Sequence, residues 1–123
     1  MPSKILIAED EHIVALDIRR TLEAMGYDIP AVVASGEDVL NAVHQQRPDL
    51  ILMDIMLDGK LDGIEAALQV REANATPIIF LTAYSDEETL NRAKSAEPFG
   101  YLLKPFDESE LKSNVEVALY KHL

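Results

Sequence analysis

Five short apolar runs, separated by segments of helical spacing, constrain this chain more than any other feature. They are KILIA at 4–8, IPAVVA at 29–34, LILM at 50–53, PIIFL at 77–81 and FGYLL at 99–103. Each has the length of a strand. The middle ones are too continuously apolar to leave a face in water, so strands buried on both faces are expected. Between the runs, Ile13, Leu16, Arg20 and Met25 have the spacing of one helix face, and Val39, Leu40 and Val43 that of a second. Ser85 with Glu88, and Asp107 with Glu110, predict capped helix starts, while Lys121 and His122 suit the end of the last helix.

Strict strand–helix alternation in units of about 20–28 residues predicts an α/β fold, a parallel sheet with helices on both faces. Right-handed crossovers and small size favour a flavodoxin-like (βα)5 doubly wound sandwich of strand order 2-1-3-4-5. A closed barrel would want about 250 residues. The chain has 123 residues, enough for one domain over 1–123 that buries about two thirds of the surface of its unfolded form. Met1-Pro2-Ser3 reads as a natural N-terminus. With no output domain after the fifth helix, the chain is either a stand-alone domain or one domain of a longer protein.

The charge excludes some functions. Acids outnumber bases 22 to 11, for a net charge of −11, which repels nucleic-acid backbones and anionic membranes. No direct nucleic-acid partner and no membrane insertion are expected. There is no cysteine, which removes disulfides, thiol catalysis and thiolate metal sites. No segment approaches the roughly 20 apolar residues of a membrane span, and a cytoplasmic protein is expected.

In doubly wound folds ligands bind beyond the C-terminal strand ends, at the switch point between the first and third strands. There the first run ends in Glu9-Asp10, the third in Asp54, the fourth in Thr82 and the fifth in Lys104-Pro105. Taken singly, Asp10 reads equally as a helix cap, Thr82 as a turn residue and Lys104 as a solvated base. Together they place polar groups at the binding end of four strands out of five. Three carboxylates this close cannot all ionise without a countercharge. Hard oxygen ligands without His or Cys suit Mg²⁺ (or Mn²⁺), which commonly uses one or two carboxylates and a substrate phosphate. Asp54 is then a candidate nucleophile toward phosphorus. The metal, the Lys104 ammonium and the Thr82 hydroxyl are candidates to neutralise the transferring group.

The segments LIAEDE, LILMDIML, IIFLTAYS and GYLLKPFD, in that order, resemble the defining motifs of the receiver domain of two-component response regulators. The resemblance covers nearly the whole chain. It implies that Asp54 is the phosphoacceptor and that Glu9, Asp10, Asp54 and the backbone carbonyl of Met56 surround Mg²⁺. It further implies that Thr82 and Lys104 bind the phosphoryl group, that Tyr101 is the aromatic switch and that Lys104-Pro105 is a cis peptide. The implied phosphodonor is a histidine kinase or histidine phosphotransfer protein. The implied output is a downstream protein or domain docking on the face of helix 4, strand 5 and helix 5. The domain would catalyse only its own phosphorylation and slow autodephosphorylation, so it would be no enzyme in the ordinary sense. Ala83 is small where a bulkier side chain would crowd a phosphate, and Tyr84 and Met56 lie where the family tunes access of the hydrolytic water.

Some positions admit other readings. Tyr101 suits core packing as well as a switch, and His12 is either a solvated helix residue or a neighbour of the acidic site. His44 and His122 read as surface positions. Asp58-Gly59 replaces the usual Pro-Gly, and Asp62-Gly63 arrives one residue late, which makes the loop after the third strand longer and more acidic. Asp62 is expected to serve the turn into helix 3, and Asp58 is left open between the outer shell of the metal and an extended loop. Glu97-Pro98 before FGY also departs from the family pattern, and would stiffen the loop after helix 4. A haloacid-dehalogenase-type phosphohydrolase would need a second aspartate two residues after the first, where this chain has Met56. A receiver-like module that is never phosphorylated would usually lose one of the acids or the lysine. A flavodoxin would need a phosphate-cradling loop after the first strand, and none is present.

Overall fold

A computed structural model describes residues 2–57, 59–73, 75–83 and 87–121. Along the chain run β1 (Ile5–Ala8), α1 (His12–Ala24), β2 (Val32–Val33), α2 (Gly36–Gln46), β3 (Leu50–Asp54), α3 (Gly63–Ala73), β4 (Ile78–Thr82), α4 (Glu87–Lys94), β5 (Gly100–Leu103) and α5 (Glu108–Lys121). All strand pairs are parallel, and the sheet order is β2-β1-β3-β4-β5. This is the doubly wound α/β architecture that the alternation predicts.

Every residue of β1, β3 and β4 is buried, because helices cover both sheet faces. One core layer groups Leu6, Ile51, Met53, Phe80, Val39, Ile64 and Val70. The other groups Ile5, Ile7, Leu52, Ile79, Leu81, Ile18, Leu22, Leu111 and Val115. The register Ile7↔Leu52, Ala8↔Met53 and Asp54↔Leu81 brings the C-terminal ends of β1, β3 and β4 to one edge of the sheet.

Two expectations require correction. The second strand is a two-residue edge, not the whole of 29–34. Pro30 has no N–H to give a ladder, and Val32 at the edge is 36% exposed. On α1 the buried residues are Ala15, Ile18 and Leu22, whereas Ile13 (86% exposed), Leu16 and Arg20 face outward. The segment is apolar at 13, 14, 15, 16, 18 and 22, so two overlapping stripes have helical spacing. The stripe that places the small Ala15 against the sheet is the buried one.

Helix starts follow local chemistry. Ser35 Oγ accepts the Asp38 N–H at the start of α2. Asp62 accepts the Glu65 N–H at 2.9 Å while Glu65 accepts that of Asp62 at 3.1 Å, and Asp107 with Glu110 repeats this reciprocal box before α5. The expected Ser85 box and the terminal role of His122 fall outside the described residues, as does Asn74. His12 opens α1 and His44 lies in the last turn of α2, both exposed.

Gly63 starts α3 directly beneath the end of β3. A Cβ there would lie 2.9 Å from Ile55 Cα and closer still to the Asp54 carbonyl oxygen. Alanine has the better helix propensity, yet backbone atoms cannot yield as a flexible side chain can. Gly63→Ala is therefore expected to lower stability by about 1–3 kcal/mol. Urea unfolding checks this; an unchanged or higher midpoint would show that α3 can shift away from β3 without cost.

Candidate functional site

The edge where β1, β3, β4 and β5 end carries five polar side chains. Asp54 and Thr82 are the last residues of β3 and β4, Glu9-Asp10 follow β1, and Lys104 follows β5. Glu9, Asp54 and Thr82 are buried, unlike nearly every other polar residue described. Backbone bonds tie the strand ends together: Ile55 N–H donates to Leu81 O at 3.1 Å and Lys104 N–H to Thr82 O at 2.8 Å. Ladder geometry thus fixes the backbones that carry Asp54, Thr82 and Lys104.

Lys104 is the countercharge. Its Nζ lies 2.6 Å from Glu9 Oε1 and 2.6 Å from Asp54 Oδ2, with Glu11 farther out at 3.8 Å. The remaining oxygens are also held. Asp54 Oδ1 accepts the Met56 N–H at 2.8 Å, and Glu9 Oε2 accepts the Glu11 N–H at 3.2 Å. Burial works to lower the Lys104 pKa, but the bonds and charges of Asp54 and Glu9 outweigh it, so the net shift is upward. Glu9 moves the other way for an acid that should be charged. Burial pushes its carboxyl up to about 7, assisted by the neighbouring Asp54 and opposed by Lys104 and the Glu11 N–H.

Asp10 does not cap α1. Glu11 occupies the cap position without a side-chain bond to the helix, and Asp10 instead joins the cluster. Glu9, Asp10 and Asp54 each offer a carboxylate oxygen, all within 4.8 Å of one another. Among the described residues the cluster is made of carboxylates alone, and three hard oxygens fit a small hard divalent cation. Such a cation would also relieve the charge that Lys104 alone shares between two carboxylates.

The remaining predicted residues surround this core. Met56 is exposed at the mouth of the site. The Lys104-Pro105 peptide is cis. Tyr101, in β5, is half buried, its ring centroid 6.2 Å from that of Phe80, and burial raises its pKa. Ala83 is exposed and lines a groove of about 690 Å³ with Ile13, Leu16, Lys104 and Phe106. Asp62 turns away from the cluster into its α3 cap and an ion pair with Arg92 at 2.9 Å. Asp58 and Tyr84 lie outside the described residues.

Sequence reasoning missed Glu37, whose carboxylate accepts the Leu61 N–H at 2.7 Å across 24 residues of chain. Nothing local signals such a bond, because an acid in the first turn of a helix is ordinary. It also did not foresee that Glu97 would adopt a left-handed backbone (φ 46) and pair with Arg71.

A doubly wound sheet with an acid cluster at its switch point defines the class of protein: an α/β domain whose acids stand where such folds bind ligands. A family model described as the response regulator receiver domain matches residues 5–116, and the chain belongs to that family, the receivers of two-component systems. The signal receiver domain of a modulated diguanylate cyclase from Desulfovibrio desulfuricans G20 is 41% identical. It superposes with a TM-score of 0.93 over 99% of this chain and 97% of that one. The transcriptional regulatory protein PdtaR of Mycobacterium tuberculosis is 34% identical over 119 residues, 97% of this chain and 58% of that protein. The chain thus spans little more than half the length of this relative. A CheY-like receiver domain protein from Methanospirillum hungatei, 22% identical with a TM-score of 0.93 over 99% of this chain and 97% of that one, shows the fold alone.

The raised Glu9 pKa has a sign that can be tested. The folded value is about 7 against 4.5 for the free group. Between these values the native state holds more protons than the unfolded state, so stability falls as pH rises through that window. In chelator, the metal-free protein is expected to lose on the order of 1 kcal/mol or more from about pH 4.5 to 7, and Glu9→Gln to lose distinctly less. Equal pH slopes in urea titrations of the two proteins would show that Glu9 ionises normally.

Proposed function

We propose that this domain is a phosphorylation switch that takes a phosphoryl group from a phosphohistidine onto Asp54, with Mg²⁺ or Mn²⁺ held by Glu9, Asp10, Asp54 and the Met56 carbonyl. The observation that carries the reading is the fixed Asp54 carboxylate, bonded through Oδ2 to Lys104 and through Oδ1 to the Met56 N–H, beside two further acids. An Asp54 oxygen attacks phosphorus, the phosphorus–nitrogen bond to the donor histidine breaks, and the imidazole departs with the electron pair, taking a proton from solvent. The divalent cation supplies neutralisation of the charge on the transferring oxygens.

Lys104 follows that charge. Its ammonium already rests on Asp54 and has a donor free to turn toward a phosphoryl oxygen. On this reading Thr82, the last residue of β4, whose carbonyl anchors the Lys104 backbone, hydrogen-bonds the same group. Residue 83 being alanine leaves the approach open. The donor is a histidine kinase or phosphotransfer protein. Exposed Ile13 and Leu16, along the groove that reaches Lys104, offer it an apolar seat beside Asp54.

Output is read at α4, β5 and α5. Phosphate adds roughly two negative charges, which draw Thr82 and release Tyr101 from its half-buried position beside Phe80. Leu103, Val117 and Tyr120 are exposed on β5 and α5, available to a downstream protein or domain. The domain, 1–123, works in the cytoplasm on this reading and touches neither nucleic acid nor membrane. A net charge of −11, which repels nucleic-acid backbones and anionic membranes, supports the last two points.

Incubation with phosphoramidate and Mg²⁺ should give an intact mass heavier by one phosphate, labile to base and absent from Asp54→Asn. A gain that persists in Asp54→Asn, or none at all in the wild type, overturns the proposal. Mg²⁺ alone should raise wild-type stability, by about 2.7 kcal/mol at a hundredfold excess over its Kd. Asp10→Asn should lose most of that increment in thermal melts.

A further inference from the structure

The loop from Ile55 to Asp62 begins at the reactive carboxylate and is closed locally at both ends. Asp54 Oδ1 accepts the Met56 N–H at 2.8 Å, and Ile55 O accepts the Gly63 N–H at 2.8 Å. Among the described residues between these ends, a bond from a distant part of the chain is that of Glu37, whose Oε1 accepts the Leu61 N–H at 2.7 Å. Three glycines show how closely α2 and the loop are fitted. A Cβ at Gly36 would lie 2.5 Å from the Leu61 carbonyl oxygen and 2.6 Å from Leu61 Cβ. One at Gly59, where φ is 92°, would meet the Glu37 carboxylate itself, 3.1 Å from its Cδ. At Gly63 the backbone of Asp54 and Ile55 fills the same space.

An acid in the first turn of α2 is favourable for the helix dipole alone. Asp38, in the same turn and exposed, already serves that purpose. Glu37 instead spends its carboxylate on the loop and is only partly exposed. A longer loop has more freedom to lose when it is ordered, and this loop is one residue longer than the common receiver pattern.

We infer that Glu37 is a positioning residue for the Asp54 site: acting through the loop from 55 to 62, it holds Met56 in place and sets how well the site takes a divalent cation. Glu37 is not one of the three carboxylates that meet at Asp54, and the inferred effect on Met56 is indirect. The inference rests on the proposed role of the Met56 carbonyl.

The test compares wild type with Glu37→Ala, Glu37→Asp and Glu37→Gln. Hydrogen exchange of the Leu61 amide in metal-free protein reads the anchor, and Mn²⁺ titration by proton relaxation reads the site. Glu37→Ala should speed Leu61 exchange about tenfold or more and weaken Mn²⁺ binding about tenfold. Glu37→Asp, which keeps the charge but is too short, should resemble it and covers the case in which Glu37→Ala does not fold. Glu37→Gln, which keeps the acceptor oxygen and loses the charge, should stay within about twofold of wild type in both measurements. Unchanged Mn²⁺ affinity in Glu37→Ala or Glu37→Asp overturns the inference. So does a Glu37→Gln protein as weak as Glu37→Ala, since charge would then be the cause. Wild-type protein that binds no Mn²⁺ overturns the reading of the site itself, and with it the inference.

Discussion

The Lys104 ammonium between Glu9 and Asp54 is the contact on which the site depends. Two buried carboxylates beside a third repel one another and need a countercharge. One ammonium, 15% exposed, lies 2.6 Å from both and works to lower the Glu9 pKa, although burial outweighs it and leaves that pKa raised. An isolated buried charge would cost several kcal/mol, so removing either partner leaves the other uncompensated.

The sheet makes that contact geometrically inevitable. Because β1 and β3 are neighbours, acids that follow one strand and end the next meet at the switch point, although they stand 44 residues apart in the chain. β4 lies on the far side of β3 and β5 beyond it. Lys104 must therefore reach back over Thr82 to Asp54, and its backbone bond to the Thr82 carbonyl sets the starting point of that reach. Strand burial thus contributes precision as well as stability, since Glu9, Asp54, Thr82 and Lys104 each end a strand or directly follow one, and the register of such a strand cannot slip without exposing its core face.

Fold class and cluster were legible for a simple reason: both are written in contiguous runs. A strand such as LILMD declares its burial and its terminal acid in five letters, and the switch-point rule converts strand order into proximity. What was illegible depends on comparison between distant or competing segments. The stripe at Ile13 and Leu16 and the stripe at Ala15, Ile18 and Leu22 are equally helical, and only the sheet that receives them selects the second. The edge status of β2 hangs on Pro30 and on having one neighbour. Glu37 meets Leu61 only because α2 and α3 pack side by side.

The weakly held element lies on the side proposed for output. Within α4 only Ala93 is buried. Arg92 reaches Asp62 at the start of α3, and Arg71 of α3 reaches Glu97 just beyond the C-terminal end of α4, both pairs with substantial exposure. Exposed pairs of this kind contribute about 0–1 kcal/mol and are screened by salt. Breaking these two pairs therefore costs little, whereas β3 and β4, buried along their whole length, do not move cheaply. On the proposed reading, new bonds from a phosphoryl group to Lys104 and Thr82 need shift only a shallow equilibrium. Asp62, which caps α3 and pairs with Arg92, places one of those weak contacts at the end of the same loop that begins at Asp54. On that reading, a rigid site beside a helix joined to α3 by weak pairs is a division of stability that lets a modest local energy be read at a distance.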